Sequence, residues 1–518
     1  MERMQLAPSP RIAVTLSGGG YRASAFAAGV LLYLIDCGRA SQIRAISSVS
    51  GGSITNAYFA RNVLTSDLTP ETSWNRCAPL LAFLSKRDIL SPRRMVLITA
   101  FLSIPTGAAA GAIANISGRA SPQVALYFGV ALALLLFSAG LTILFLELRR
   151  SLEVAVQWLL DLGGTATKVT ANKFSARKFV SAILTLRLNR AMAIFRPKMT
   201  LFQDINATYE PIFCCTDLAT GTHFFIGSSF VSGVSGSPNK KSEVVNFTGT
   251  ADELPIATAV AASAAFPLVF RPTVIDASTL GLPVQRGIVS GQIMLADGGL
   301  FDNLGFTPID SWMIGDMDAA VLRELGPGPD VCIVVDSGRP SHQPQTRHNL
   351  TRFLTRSIDV VHQSNSLVRR KELQRKFAVA PAWGTLVGIG DDPYEIVDSL
   401  DNSPLAQALE GWLEKVNKIH GLNPAAWKAL AQERNPSVKT NLRRLGTKDL
   451  SRLVLHGYTA AMIRTCVELG WDARDAPLPS VDIDALCAGE FVGSLIDRTA
   501  WAFVGPGANH IGRNRDHG

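Results

Sequence analysis

Seven cysteines in 518 residues are too few to make a disulfide framework, and their odd number leaves at least one unpaired. Cys214 and Cys215 are adjacent in an apolar strand-like run, where they are expected to point to opposite faces as core residues rather than ligands. The opening residues, MERMQLAPSPR, contain no apolar h-region, so no secretory signal is read there. Reduced thiols and no such signal make a cytoplasmic compartment the expected setting of the N-terminal unit. There is no G-x-x-x-x-G-K-[ST], which excludes a P-loop. Zinc-ligand spacing, a helix-turn-helix signature and an aromatic-basic stripe are all missing, and the basic residues are dispersed, so nucleic acid is not the expected partner. No internal repeat and no low-complexity tail are found.

What is present points to lipid. The net charge of +8 suits an anionic partner, and the hydrophobic fraction of 47% with a mean hydropathy of +0.20 is high for a purely soluble chain. The length is too great for one ordinary core and predicts two or three structural units.

Residues 12–53 organise the rest. An apolar strand, Ile12–Leu16, runs into Ser17 and three glycines, Gly18, Gly19 and Gly20. A helical run follows over 23–35, then a short strand over 44–48, then Ser50, Gly51 and Gly52. Strand, glycine loop, helix, strand, tight turn, helix is the order of a parallel crossover unit. Both turns then fall at strand carboxyl ends, where such sheets place their ligands. The first turn offers bare amides at a helix N-terminus, suited to an anion or a developing oxyanion. The second lifts a serine at a strand-to-helix corner, in the manner of a G-x-S-x-G elbow, with Ser48 at the first glycine's place. Dinucleotide binding is the rival for the glycines, but G-x-G-x-x-G fails because Ala23 stands at its third glycine.

Residues 95–114 and 124–146 are long apolar runs without a charged residue, joined by a short polar loop holding Arg119. Their lengths match a bilayer's hydrocarbon thickness. Gly107 and Gly111 form a G-x-x-x-G where a partner helix could approach closely. Arg93 and Arg94 precede the pair, and Arg149 and Arg150 follow it, so a transmembrane hairpin with both ends cytoplasmic is expected. A basic stripe, Lys168, Lys173, Arg177 and Lys178, is expected either near anionic headgroups or on a solvated helix face. Further on, a strand over 209–215 pairs naturally with one over 223–226, and a small-residue helix over 255–265 ends in Phe266 and Pro267. A strand over 293–296 runs into Asp297, Gly298 and Gly299, another closes at Asp336, and helical text with Arg369, Arg370 and Lys371 occupies 350–377.

A serine needs a base, and Asp297 at a strand's carboxyl end is the best candidate. These motifs together resemble the patatin-like phospholipases. That family's glycine loop, serine elbow and distal D-G-[GA] stand here as Gly18-Gly19-Gly20-Tyr21-Arg22, Ser48-Val49-Ser50-Gly51-Gly52 and Asp297-Gly298-Gly299. Supporting segments are 216–221, 261–267 and Asp302-Asn303. The likeness covers about 12–60 and 211–336. It implies a three-layer α/β/α sandwich with a mostly parallel sheet, and lipid acyl hydrolysis with neither metal nor cofactor. It further implies Ser50 as nucleophile, Asp297 as base and Gly18 to Gly20 as oxyanion hole. Arg22, Gly51, Gly52, Gly298 and Gly299 are then supporting residues.

The expected organisation is a catalytic first part at 1–94, the hairpin at 95–150, a catalytic second part at 151–345 and a mainly helical region of open role at 346–518. The expected substrate is a phospholipid or other lipid ester of the bilayer. An acyltransferase with the same dyad, a Ser-His-Asp triad using His342, His348 or His362, and a catalytically silent lipid-binding scaffold are the alternatives. Lipid class, acyl position, oligomeric state and any regulatory partner are not indicated.

Overall fold

The computed structural model describes residues 9–87, 92–116, 121–146, 148–163, 199–235, 245–267, 269–282, 291–338, 350–474, 476–479 and 483–488. The stripe at Lys168, Lys173, Arg177 and Lys178 lies outside them, as do His342 and His348.

Ten strands form one sheet: β1 (Ile12–Leu16), β2 (Ile43–Ser48), β3 (Glu210–Asp217), β4 (Thr222–Ile226), β5 (Val231–Ser235), β6 (Val245–Gly249), β7 (Thr273–Asp276), β8 (Gln292–Asp297), β9 (Val331–Asp336) and β10 (Gly384–Gly388). The main order is β10-β9-β1-β2-β3-β4-β5-β6, with β8 on β3 and β7 on β8. Strands β10, β9, β1, β2 and β3 are parallel. The other five pair antiparallel, so the sheet is mixed rather than mostly parallel. The cause is local. Residues 218–221 are too few for a crossover, and Gly221 turns at φ 70°, so β4 must fold straight back on β3.

Strand alternation sorts the side chains into two cores. Ile12, Val14, Leu16, Ile46, Ile333, Val335 and Cys215 face one side. There they meet α1 (Gly20–Asp36), α2 (Gly51–Asn62), α3 (Pro70–Lys86), α6 (Leu148–Gly163) and α7 (Ile256–Ser263), with α4 (Pro92–Ile116) and α5 (Pro122–Leu146) between α3 and α6 in the chain. Ala13, Ala45, Ile212, Cys214, Cys332 and Val334 face the other side, under α8 (Thr307–Met313), α9 (Ala319–Leu325) and α10 (Leu350–Val379). Three layers result, and the adjacent cysteines do point into opposite cores.

Residues beyond 345 belong to this same body. They supply β10 at the sheet edge, then α11 (Pro393–Asp398), α12 (Pro404–His420), α13 (Pro424–Ala429), α14 (Thr447–Leu469) and α15 (Ile483–Ala488). Helix α14 lies along α1 so closely that a Cβ at Gly29 would strike the Val454 carbonyl, and one at Gly457 the Phe26 carbonyl. Tyr33 stands edge-on to Tyr458 at 5.4 Å and shares a 3.1 Å hydrogen bond with Thr465. Buried rings of this size contribute about 2 kcal/mol each to the packing.

Helices α4 and α5 form a hairpin packed glycine to glycine. A Cβ at Gly111 would come within 3.4 Å of Gly129 Cα, and one at Gly129 equally close to Gly111 Cα. The G-x-x-x-G of α4 thus finds its partner within the chain. Large apolar side chains point outward from the pair, among them Ile116 at 84% and Tyr127 at 73% exposure. Among the described residues, one stretch is long and apolar enough to cross a bilayer, Pro122–Ala139 of α5.

Candidate active site

Ser50 sits between β2 and α2 with φ 50° and ψ −116°. A non-glycine residue with φ this positive is costly by about 1–3 kcal/mol, and it persists because the surroundings dictate it. Gly51 backs onto the Gly20 carbonyl and Gly52 onto the Leu16 carbonyl, each too closely for a Cβ. The Ser50 amide donates to both the carbonyl and the hydroxyl oxygen of Ser263, each at 3.1 Å. Ser24 Oγ donates to the Gly51 carbonyl at 2.5 Å, tying the elbow to α1.

Ser48 is accommodated by a buried hydroxyl network. Its Oγ donates to the Ile212 carbonyl at 3.1 Å and receives bonds from Ser53 Oγ at 3.1 Å and Asn56 Nδ2 at 2.9 Å. A side chain at the elbow's usual first glycine is therefore satisfied rather than strained.

Asp297 ends β8. Strand β8 runs antiparallel to β3, placing Asp297 opposite Cys215, whereas β2 runs parallel to β3, placing Ser48 opposite Phe213. Since β4 occupies the other side of β3, β2 and β8 lie on one side and meet head to head. Ser50 and Asp297 converge at that junction, near enough for the Ser50 hydroxyl to stabilise the ionised Asp297 carboxyl. The parallel crevice expected from the sequence is thus replaced by an end-on junction with the same outcome.

The Asp297 carboxyl is 1% exposed, and burial pushes its pKa up to about 6, opposed by the bond from the Gly299 amide (2.8 Å) and by the nearby Ser50 hydroxyl. Gly299 therefore holds the carboxylate. Gly298 has a different duty, because a Cβ there would strike the Cys214 carbonyl of β3. The end of α7 and the residues after it join both halves of the site: Ser263 accepts from Ser50, and the Ala265 carbonyl accepts from the Asp297 amide at 3.1 Å. Ser263 was not singled out in the sequence, although its segment was. The stretch of small residues around it was the only signal.

The glycine loop faces this pair. Gly18 donates its N–H to the Asn303 carbonyl at 3.1 Å, so its amide is spent. This corrects the expectation that all three glycines offer donors. Gly19 (φ 150°) and Gly20 (φ 61°) have no hydrogen-bond partner for their amides among the described residues, and the next amide, Tyr21, is taken by the Asn441 carbonyl at 3.0 Å. Two adjacent N–H groups remain at the start of α1, where the helix dipole adds positive potential.

Arg22 is buried at 1% exposure. Its guanidinium donates to the carbonyls of Ser337 (2.8 Å), Val438 (2.8 Å) and Pro436 (3.3 Å). It supports the loop from behind rather than meeting substrate. Nothing in the local sequence marks residues 436–441 as its partners, because the contact spans over four hundred positions.

Among the described residues, no group of three or more His, Cys, Asp or Glu side chains is gathered to hold a metal ion. His362 lies on α10, and its side chain is outside the described set.

The patatin-like phospholipase family model matches residues 14–310, more than half of the chain, and the chain belongs to that family of lipid acyl hydrolases. No curated protein matches it. Among solved structures it is similar to a chain of the complex of full-length SpcU with full-length ExoU from the type III secretion system of Pseudomonas aeruginosa. That likeness has 14% identity, 94% of this chain and 78% of that one covered, and a TM-score of 0.24. VipD from Legionella pneumophila is similar at 12% identity, with 97% and 93% covered and a TM-score of 0.21. Overlaps of that size carry no argument about the site, and the family rests on the sequence match.

Proposed function

We propose, from the premise that this is a patatin-like phospholipase chain, that it is a membrane-anchored serine lipid acyl hydrolase working through Ser50 and Asp297. The Ser50 oxygen bonds to the ester carbonyl carbon of a phospholipid or lysophospholipid while its proton passes to Asp297. The amides of Gly19 and Gly20 take the charge that develops on the carbonyl oxygen. Collapse breaks the ester bond, and the departing lipid alcohol recovers the proton from Asp297. Water then attacks the acyl-enzyme with Asp297 again as base, returning Ser50.

The observation that carries this reading is Ser50 set beside the buried Asp297 carboxyl on a strained elbow, next to a glycine loop with two unengaged amides. A carboxyl group with pKa about 6 is ionised at neutral pH yet basic enough to take a serine proton in the transition state. The exposed apolar hairpin, bracketed in sequence by Arg93, Arg94, Arg149 and Arg150, supports insertion into a bilayer from the cytoplasmic side. Labelling by a fluorophosphonate tests the core of the proposal. Wild-type protein is expected to react at Ser50 and Ser50→Ala to remain unlabelled; an unlabelled wild type that is also inert toward lipid esters overturns it.

A further inference from the structure

The loop that follows the base contains a carboxamide with no structural task. Asn303 is 8% exposed, yet neither atom of its side-chain amide has a hydrogen-bond partner among the described residues. Nor is either atom sealed in, since neither is among the fully buried, unsatisfied polar atoms. Buried amides are rarely left this way unless something else takes up the bond.

Its location says what that could be. A Cβ on Gly18 would collide with the Asn303 side-chain oxygen on one side and lie 3.3 Å from Ser50 Cβ on the other. The carboxamide and the Ser50 side chain therefore flank the same glycine. The loop is held by bonds that leave the side chain out. The Asn303 carbonyl takes the Gly18 amide, and the Asp302 carboxylate takes the Leu304 amide (3.0 Å), the Thr307 amide (2.8 Å) and the Thr307 hydroxyl (2.8 Å). The Gly305 carbonyl accepts from Ser47 Oγ at 2.7 Å, knitting the loop to β2. Backbone geometry does not call for asparagine either, because Asn303 has no positive φ. A rigid loop is presenting an amide whose two ends exchange by a half-turn about one bond.

We infer that Asn303 is a catalytic residue whose Nδ2–H joins the Gly19 and Gly20 amides in binding the carbonyl oxygen as it becomes an oxyanion. Its backbone removes Gly18 from the set of donors, and its side chain replaces the donor removed. The inference rests on the serine hydrolase reading above and deepens it.

The test compares Asn303→Ala, Asn303→Asp and Asn303→Ser with wild type, using a chromogenic ester and a fluorophosphonate. Losing one such donor typically costs 10²–10³ in kcat. The alanine variant is expected to lose about that much, with KM within about twofold, and labelling should slow in parallel. The aspartate variant keeps the shape but loses the donor, and it should be at least as impaired. Serine, a shorter donor, should recover part of the loss. A kcat for Asn303→Ala within about threefold of wild type overturns the inference, as does an equal fall in every variant that tracks a fall in Tm. If the alanine variant is unstable, the isosteric aspartate variant decides. Should wild type itself be inert toward ester and probe, the hydrolase reading fails; active wild type with active Asn303 variants defeats this inference alone.

Discussion

Ser50 and Asp297 meet because two strands of opposite direction end against one another on the same side of β3, with Phe213 opposite the end of one and Cys215 opposite the end of the other. The single residue between those registers, Cys214, has its carbonyl bonded by Ser263 Oγ at 2.7 Å, the same hydroxyl that receives the Ser50 amide. The spacing between Ser50 and Asp297 is thus fixed by the repeat of a strand.

Ser50→Ala is expected to abolish ester hydrolysis without loss of fold, since the side chain stands at a turn beside Asp297 and adds little to the packing. Ser50→Gly should be as inactive and more stable by about 1 kcal/mol, because glycine adopts the positive φ without strain. Thermal unfolding of the two variants beside wild type, with turnover measured on the same samples, checks both halves. Turnover in either purified variant would remove Ser50 from the mechanism.

Asp297 makes a prediction in pH. Its carboxyl must be ionised to accept a proton, so kcat/KM should fall as pH drops through about 6. Stability should move the other way. The folded state holds this proton more tightly than the unfolded chain, whose carboxyl has the ordinary value of 3.8. Burial therefore costs stability above about pH 6 and nothing below about 4. Asp297→Asn should be inactive yet gain up to about 3 kcal/mol at pH 8, with no gain at pH 4. The buried Asp36 carboxyl is shifted in the same direction and is present in both proteins, so the difference isolates Asp297. An equal effect at both pH values would contradict the assignment.

Gly19→Val should cut kcat by roughly 10² or more, since a side chain is strained at φ 150° and displaces the unengaged Gly19 amide. Fluorophosphonate labelling should slow in step. Normal hydrolysis by this variant would reduce the loop to a turn.

Arg22→Lys should destabilise by about 3 kcal/mol, because an ammonium cannot reach the carbonyls of Ser337, Val438 and Pro436 together. Chemical denaturation gives the number. A change below about 0.5 kcal/mol would show that the guanidinium is not holding the loop.

For the hairpin, the protein is expected to resist alkaline carbonate extraction, and deletion of 95–146 to release it. A cysteine replacing Ser121 should react with an impermeant maleimide from the side opposite the catalytic domain, while one replacing Ser91 should not. Complete extraction of the intact protein would leave α4 and α5 as a soluble packing unit.

The sequence made the site legible where chemistry is local. A strand, glycines and a helix in fixed order announce backbone that must turn sharply, and the positive φ values at Gly19, Gly20 and Ser50 are where those turns fall. It also made β1 and β9 legible as strands, in apolar runs interrupted only by Thr15. Pairing direction was not legible, because alternation in β8 looks the same whichever way the strand runs. Nor was the engagement of the Gly18 amide, which depends on a carbonyl 285 positions away. The work of residues beyond 345 was hidden for the same reason. Gly29 and Gly457 each look like an unremarkable helix glycine until the two helices are laid together.

The clamp on Arg22 and Tyr21 has a consequence in time. Ser50 and Asp297 have both been synthesised once the chain reaches residue 297, but the carbonyls of Pro436, Val438 and Asn441 that fix the glycine loop come much later. Translation proceeds at about 5–20 residues per second, so a nascent chain spends seconds with Ser50 made and its glycine loop unsupported. The glycine loop of this lipid acyl hydrolase therefore cannot take its final form until the chain has passed Asn441.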